Sequence, residues 1–453
     1  MSLVSLHLIW TALAALVITR QRRVPASAAA WIAIVLLLPV AGTLLYVLVG
    51  FRRDFPPAAP PAARTDAADA ADAADRLQRL IARNCGSQLR THNRIELLHN
   101  GNNAFSALIA ALQRATRTIH MEYYIFRDDR IGRTIADILQ RKARAGVEVR
   151  VIYDAVGSGG LTRRMLRDMR RAGIRAEAFG PLAFPWFTPR VCRRNHRKIV
   201  VTDSRIAFLG GINIAKYYLD GDCLGKWRDE HLRLEGDIVG DLQRLFLADW
   251  AALTGEKPDP GVRTAPRTVA ERLPMQLAWA EEGASRLTLA EAFAAAIVRA
   301  QRTVRISSPY FMPPAIILDA LRIAARSGVR VQLMIPACSD SRFTDLVSES
   351  YIGDLLDTGA ELYRYDNGFL HAKLLVVDEQ TASVGTANMD YRSLLENFEV
   401  TAFIYDRPTA RMLAATFDED LAACRAVTPE QWRCRPPWRR ALCDALRLTA
   451  PLL

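Results

Sequence analysis

Two stretches of this sequence repeat a set of residues able to do chemistry at phosphorus. His196, Lys198 and Asp203 recur as His371, Lys373 and Asp378, both in the frame H-x-K-x4-D. The likeness runs on past each Asp, to Gly210, Gly211 and Asn213 in the first copy and Gly385, Thr386 and Asn388 in the second. Only six of the 60 basic residues are Lys, at 142, 198, 216, 226, 257 and 373, and two of those six hold the same motif position. Lysine offers a compact point charge with three donors where arginine offers a planar fork, so the site selects for shape as well as charge.

The apolar residues inside each motif, Ile199 to Val201 and Leu374 to Val377, read as buried strands. Residues two apart on a strand share a face, so His196 points with Lys198 and His371 with Lys373. An imidazole beside an ammonium suits a phosphate oxyanion. Two such pairs in one pocket supply phosphoryl transfer with neither metal nor cofactor. One imidazole attacks phosphorus, the other protonates the leaving alcohol, and the ammoniums stabilise the equatorial oxygens. Each imidazole then needs an acceptor on its second nitrogen. Asp203 and Asp378 are candidates that could instead fix a local loop; Asp229 and Glu399, each a short segment beyond its own Asn, are the others.

The elements that must position these residues are repeated too. Arg117 to Phe126 and Ala145 to Tyr153 read as strands separated by a helix, and Arg302 to Phe311 and Ser327 to Ile335 repeat the order. The motif histidines lie 175 positions apart, and Gly146 and Gly328 lie 182 apart, so the halves match with small differences in loops. The expected fold is α/β: two pseudo-symmetric βα-sandwich halves, at 79–258 and 259–453, the second ending in C-terminal helices. The joint between halves falls at Glu256 to Pro266, where Pro258 and Pro260 break any regular element. The segment Pro181 to Phe187 has no partner in the second half and reads equally as a core cap or as a lip dipping into lipid or over the pocket.

Ahead of the halves stand two apolar runs, Leu3 to Thr19 and Ala26 to Gly50, the second without a charge. A helix crosses the hydrocarbon core with about 20 apolar residues, so residues 1–54 are expected to form a transmembrane hairpin. Basic residues flank both ends of the second run, so the positive-inside rule sets no orientation. Residues 55–78 form a Pro-, Ala- and Asp-rich linker. The net charge of +12 favours anionic partners, nucleic acid or phospholipid. Seven scattered cysteines without a C-x-x-C pair indicate neither a zinc site nor a disulfide framework.

The duplicated frame H-x-K-x4-D-x6-G-[GST]-x-N resembles the phospholipase D superfamily. With the hairpin, Arg193 to Lys198, Trp227-Arg228-Asp229 and Asn388 to Ser393, nearly the whole chain is similar to the bacterial cardiolipin synthase family. Thr386 stands where many members have Ser, and Glu396 where many are apolar. The resemblance implies a multi-pass protein of the bacterial inner membrane, with phosphatidylglycerol as donor and acceptor, the bilayer as partner and no nucleic acid. It implies a phosphatidyl group carried on one histidine, His196 before His371, and passed to a second glycerol hydroxyl, yielding cardiolipin and glycerol. Rival readings are hydrolysis of phospholipid or nucleic acid, and a non-catalytic membrane scaffold. Phosphatidylethanolamine as donor, the membrane side of the pocket and the oligomeric state stay open.

Overall fold

The first half is a seven-stranded sheet in the spatial order Asn93–His99, Glu230–Gly236, Ile206–Gly210, Lys198–Thr202, Thr118–Tyr123, Glu148–Asp154, Arg175–Phe179. The computed structural model describes residues 3–20, 25–47, 75–181, 193–256, 269–280 and 288–450. The second half repeats the order with Met275–Ala280, Glu399–Ile404, Thr381–Gly385, Leu374–Val377, Thr303–Ser307, Arg330–Pro336 and Glu361–Tyr365. Registers agree as well: Ile119 pairs with Thr202 and Val304 with Val377, each the same step along its motif strand. Three strands of each half run parallel, joined by helices such as Arg130–Arg144 and Ala315–Arg326. Asp129 caps the first of these helices through the Gly132 amide, and Ile131, Ile135, Ile138 and Leu139 form the stripe it buries.

The motif strands are buried on both faces because the two sheets pack against each other. Ile199, Val201, Leu209, Leu232 and Leu234 of the first meet Leu374, Val376, Val384, Val400 and Ala402 of the second in one core. A continuous apolar run, rather than an alternating one, is what that environment requires.

Four expectations need correction or addition. Residues 79–85, assigned to the first half by their sequence position, belong to helix Arg76–Cys85, which begins inside the expected linker and buries Leu77, Ile81 and Cys85 in the core of the second. The second apolar run is not one helix but two, Pro25–Leu37 and Pro39–Leu45, because proline lacks an amide proton and forces Leu38 out of helical geometry (φ −127°, ψ 78°). The preceding helix, Leu3–Arg20, packs on both, and among the described residues no helix is long and apolar enough to cross a membrane. The tail adds an unforeseen strand, Cys424–Val427, on the edge of the second sheet. The Pro-Ala and Asp-Ala linker before Asp75, the apolar loop at 182–187 and the joint at 257–266 lie outside the described residues.

Candidate active site

Each motif histidine sits just before its strand, and the opposite half holds it there. The His196 amide donates to the Phe398 carbonyl at 2.9 Å, and its Nδ1 meets Glu399 Oε1 at 2.8 Å. The mirror contacts join the His371 amide to the Arg228 carbonyl at 2.7 Å and Nδ1 to Asp229 Oδ2 at 2.6 Å. Trp227 and Arg228 also pair as a short parallel strand with Phe369 and Leu370, fixing the register of the crossing. A carboxylate on Nδ1 fixes the proton there and leaves Nε2 as the reactive nitrogen. Both imidazoles line a single cleft of about 560 Å³, together with Asn213 and Asn388.

The lysines are buried beside them. Lys198 Nζ donates to the His196 carbonyl at 2.7 Å and lies 5.6 Å from the centre of the Tyr124 ring. Lys373 Nζ donates to the His371 carbonyl and sits 3.2 Å from His371 Nε2. Burial pushes the Lys198 ammonium down to about 7 and that of Lys373 down to about 8. Burial lowers both imidazoles, His371 to about 3 with help from Lys373, so both are neutral near pH 7. Burial opposes ionisation of Asp229 and Glu399, but Lys373 and His371 around the first, and His196 and Lys198 around the second, outweigh it and hold both carboxyls below their ordinary values.

Gly211 and Thr386 of the motif tails lie against these carboxylates. A Cβ on Gly211 would collide with the Asp229 carboxylate, and one on Gly210 with His231 and the Glu230 carbonyl. A Cβ on Gly385 would strike Thr401. Thr386, at the position matching Gly211, donates its hydroxyl to Glu399 and accepts the Val400 amide at 3.0 Å. Asn213 accepts from the Ile125 amide and donates to the Tyr218 hydroxyl.

Asp203 and Asp378 are not brought into the cleft. Asp203 accepts the amides of Thr116, Arg117 and Thr118, and Asp378 those of Gln301, Arg302 and Thr303, each at the turn that opens the neighbouring strand. Both have positive φ, 54° and 55°, a conformation Asp and Asn tolerate. These residues position strands and are corrected from catalytic to structural. Asp203→Ala and Asp378→Ala are each expected to cost about 2 kcal/mol in denaturant unfolding while the folded fraction keeps its turnover. A variant that unfolds like wild type yet is inactive would return that Asp to the chemistry.

Sequence reasoning missed several neighbours. Tyr124 packs edge-on against His196, and the Tyr218 hydroxyl lies 3.4 Å from His371 Nδ1. Burial raises both phenols, keeping them protonated as donors. Arg194 grips buried Asp154 through two nitrogens, and Asn195 donates to buried Glu122, so the residues leading into His196 are tied to the first sheet. The signal was present in the carboxylates Glu122 and Asp154 near the C-terminal ends of their strands. The cleft is also lopsided: the strand registers equate Arg127 with Met312, and both line it.

Two mirrored α/β halves closing one cleft, with a His-Lys pair from each, define the phospholipase D-like class. The fold is shared with phosphatidylserine synthase of Haemophilus influenzae Rd KW20, at a TM-score of 0.61 and 14% identity over 84% of this chain and 100% of that one. The chain belongs to the cardiolipin synthase family: residues 108–250 and 293–421 match the family described as cardiolipin synthase, PLD-like domain. Residues 8–50 match the phospholipase D-nuclease N-terminal family. It is 37% identical to a cardiolipin synthase of Geobacillus kaustophilus, covering 97% of this chain and 91% of that one. It is 35% identical to the major cardiolipin synthase ClsA of Bacillus subtilis, covering 97% and 96%.

Proposed function

We propose that this cleft moves a phosphatidyl group from one phosphatidylglycerol to a second, giving cardiolipin and free glycerol. The observation that carries the reading is the pair of imidazoles on one cleft, each with Nδ1 on a carboxylate of the opposite half. His196 Nε2 attacks phosphorus as the bond to the glycerol headgroup breaks, and protonated His371 gives its proton to the departing oxygen. The glycerol hydroxyl of the second lipid then attacks phosphorus, losing its proton to His371 and breaking the P–N bond, which restores both residues. The order, His196 first, follows the family resemblance. The two ammoniums, with the Tyr124 and Tyr218 hydroxyls, offset charge on the phosphoryl oxygens. A phosphodiester beside His371 raises its pKa, so binding of the lipid draws from solvent onto His371 the proton the first step needs.

The test is a product assay with phosphatidylglycerol micelles and no added divalent metal. Cardiolipin and glycerol in equal amounts are expected; phosphatidic acid would mean hydrolysis, and activity lost to a chelator and restored by metal would overturn the scheme. The pH dependence has a definite sign. Ammoniums with lowered pKa values lose their charge as pH rises through about 7 to 8. Above about pH 8, kcat/KM is expected to fall roughly tenfold or more per pH unit, and kcat at saturating lipid less steeply, since bound phosphate holds the protons. A flat profile to pH 9.5 would remove the lysines from that role.

The N-terminal helices are read as a hairpin in the bacterial inner membrane. Ile9, Leu13, Leu16, Leu37, Val40 and Leu44 are exposed on their outer faces. His7 Nε2 meets the Leu36 carbonyl at 2.9 Å, next to the proline kink, and Trp10 donates to Thr43 at 2.9 Å, two polar contacts made within the hairpin.

A further inference from the structure

The tail forms helix Pro437–Arg447, whose inner face is fixed to helix Arg342–Leu356. Cys443 is buried there, Arg435 and Arg439 converge on the buried Glu349 carboxylate, and Arg447 bonds Asp354 at 2.8 Å. The outer face is apolar. Trp438 is 68% exposed, Leu442 40% and Leu448 75%, and Ala441 and Ala445 are exposed beside them. Spacings of three, four, seven and ten from Trp438 put all five on one stripe of the helix. A helix docked on one side and apolar on the other presents a surface that water does not explain.

Two observations say what covers it. From Pro429 to Ala450 the chain carries five arginines; Arg433, Arg435, Arg439 and Arg447 are paired with Asp357, Glu349 and Asp354, and exposed Arg440 adds a cation next to Ala441 of the stripe. Two residues past Leu448, Ala450 lines the catalytic cleft, and half-exposed Phe343 stands between the cleft residues Ser341 and Thr344 on the helix beneath. The apolar stripe therefore leads to the rim of the cleft. We propose that this face rests on an anionic bilayer, Trp438 and the leucines in the interfacial layer and Arg440 among phosphates, so that lipid reaches the cleft without crossing water. The idea rests on the lipid substrate proposed above.

The full chain is reconstituted into phosphatidylcholine vesicles with and without phosphatidylglycerol, each carrying a photoreactive phospholipid. Labelling of residues 434–450 is expected, stronger when phosphatidylglycerol is present. In Trp438→Ser/Leu442→Ser/Leu448→Ser it should drop severalfold, the rate on vesicle phosphatidylglycerol should fall about tenfold, and the rate on monomeric dihexanoyl phosphatidylglycerol should stay unchanged, which also reports correct folding. Arg440→Glu should lose labelling selectively on the anionic vesicles. An unlabelled wild-type tail, or an unchanged vesicle rate in the triple variant, would overturn the proposal; so would a dimer that the triple variant splits while labelling persists. Failure of wild type to make cardiolipin from the monomeric lipid would instead sink the proposed function, and labelling within residues 3–47 separately tests the hairpin.

Discussion

With alanine in place of either His196 or His371, cardiolipin formation is expected to fall by about 10³-fold or more. Nucleophile and acid act as a unit, so losing one strands the other. A p-nitrophenyl phosphodiester separates the roles, because its leaving group departs without a proton. His371→Ala should still release p-nitrophenolate at a sizeable fraction of the wild-type rate, and His196→Ala should not. The opposite pattern would exchange the two assignments, and lipid transfer above about a tenth of wild type in either variant would end the two-histidine scheme.

Asp229→Asn and Glu399→Gln are expected to be nearly as damaging, about 10²- to 10⁴-fold in kcat with little change in KM, because an amide no longer enforces the Nδ1 proton. Each should act on the histidine of the other half. Glu399→Gln would slow capture of the phosphatidyl group, whereas Asp229→Asn would slow headgroup departure while sparing the p-nitrophenyl substrate. Both carboxylates favour the charged imidazole, so the pH profile should move as well as drop. A uniform loss with unchanged substrate preference and pH profile would mean that the carboxylates only hold the backbone.

The repeat made much of this legible. Matching frames placed His196 with Lys198 and His371 with Lys373, and the offsets predicted two halves whose strand registers agree. What escaped was non-local. Glu399 and Asp229 stood among four possible acceptors, but their assignments cross between halves over 203 and 142 residues, distances that no local pattern encodes. Asp203 and Asp378 look catalytic because they travel with the motif, yet their partners are amides on a neighbouring strand about 80 residues away. Residues 79–85 misled for the same reason, since adjacency in sequence placed them with one half while the apolar stripe of helix Arg76–Cys85 fits the other.

The crossed grip of each half on the other's histidine has an evolutionary corollary. Two separate, identical subunits meeting about a twofold axis would be bound to carry the same side chain at every equivalent position. A single covalent chain is released from that constraint, and here it has drifted: Glu399 faces Asp229, Thr386 replaces Gly211, and Met312 stands opposite Arg127. Once the two walls differ, an incoming molecule has a preferred heading, and giver and receiver need no longer be interchangeable.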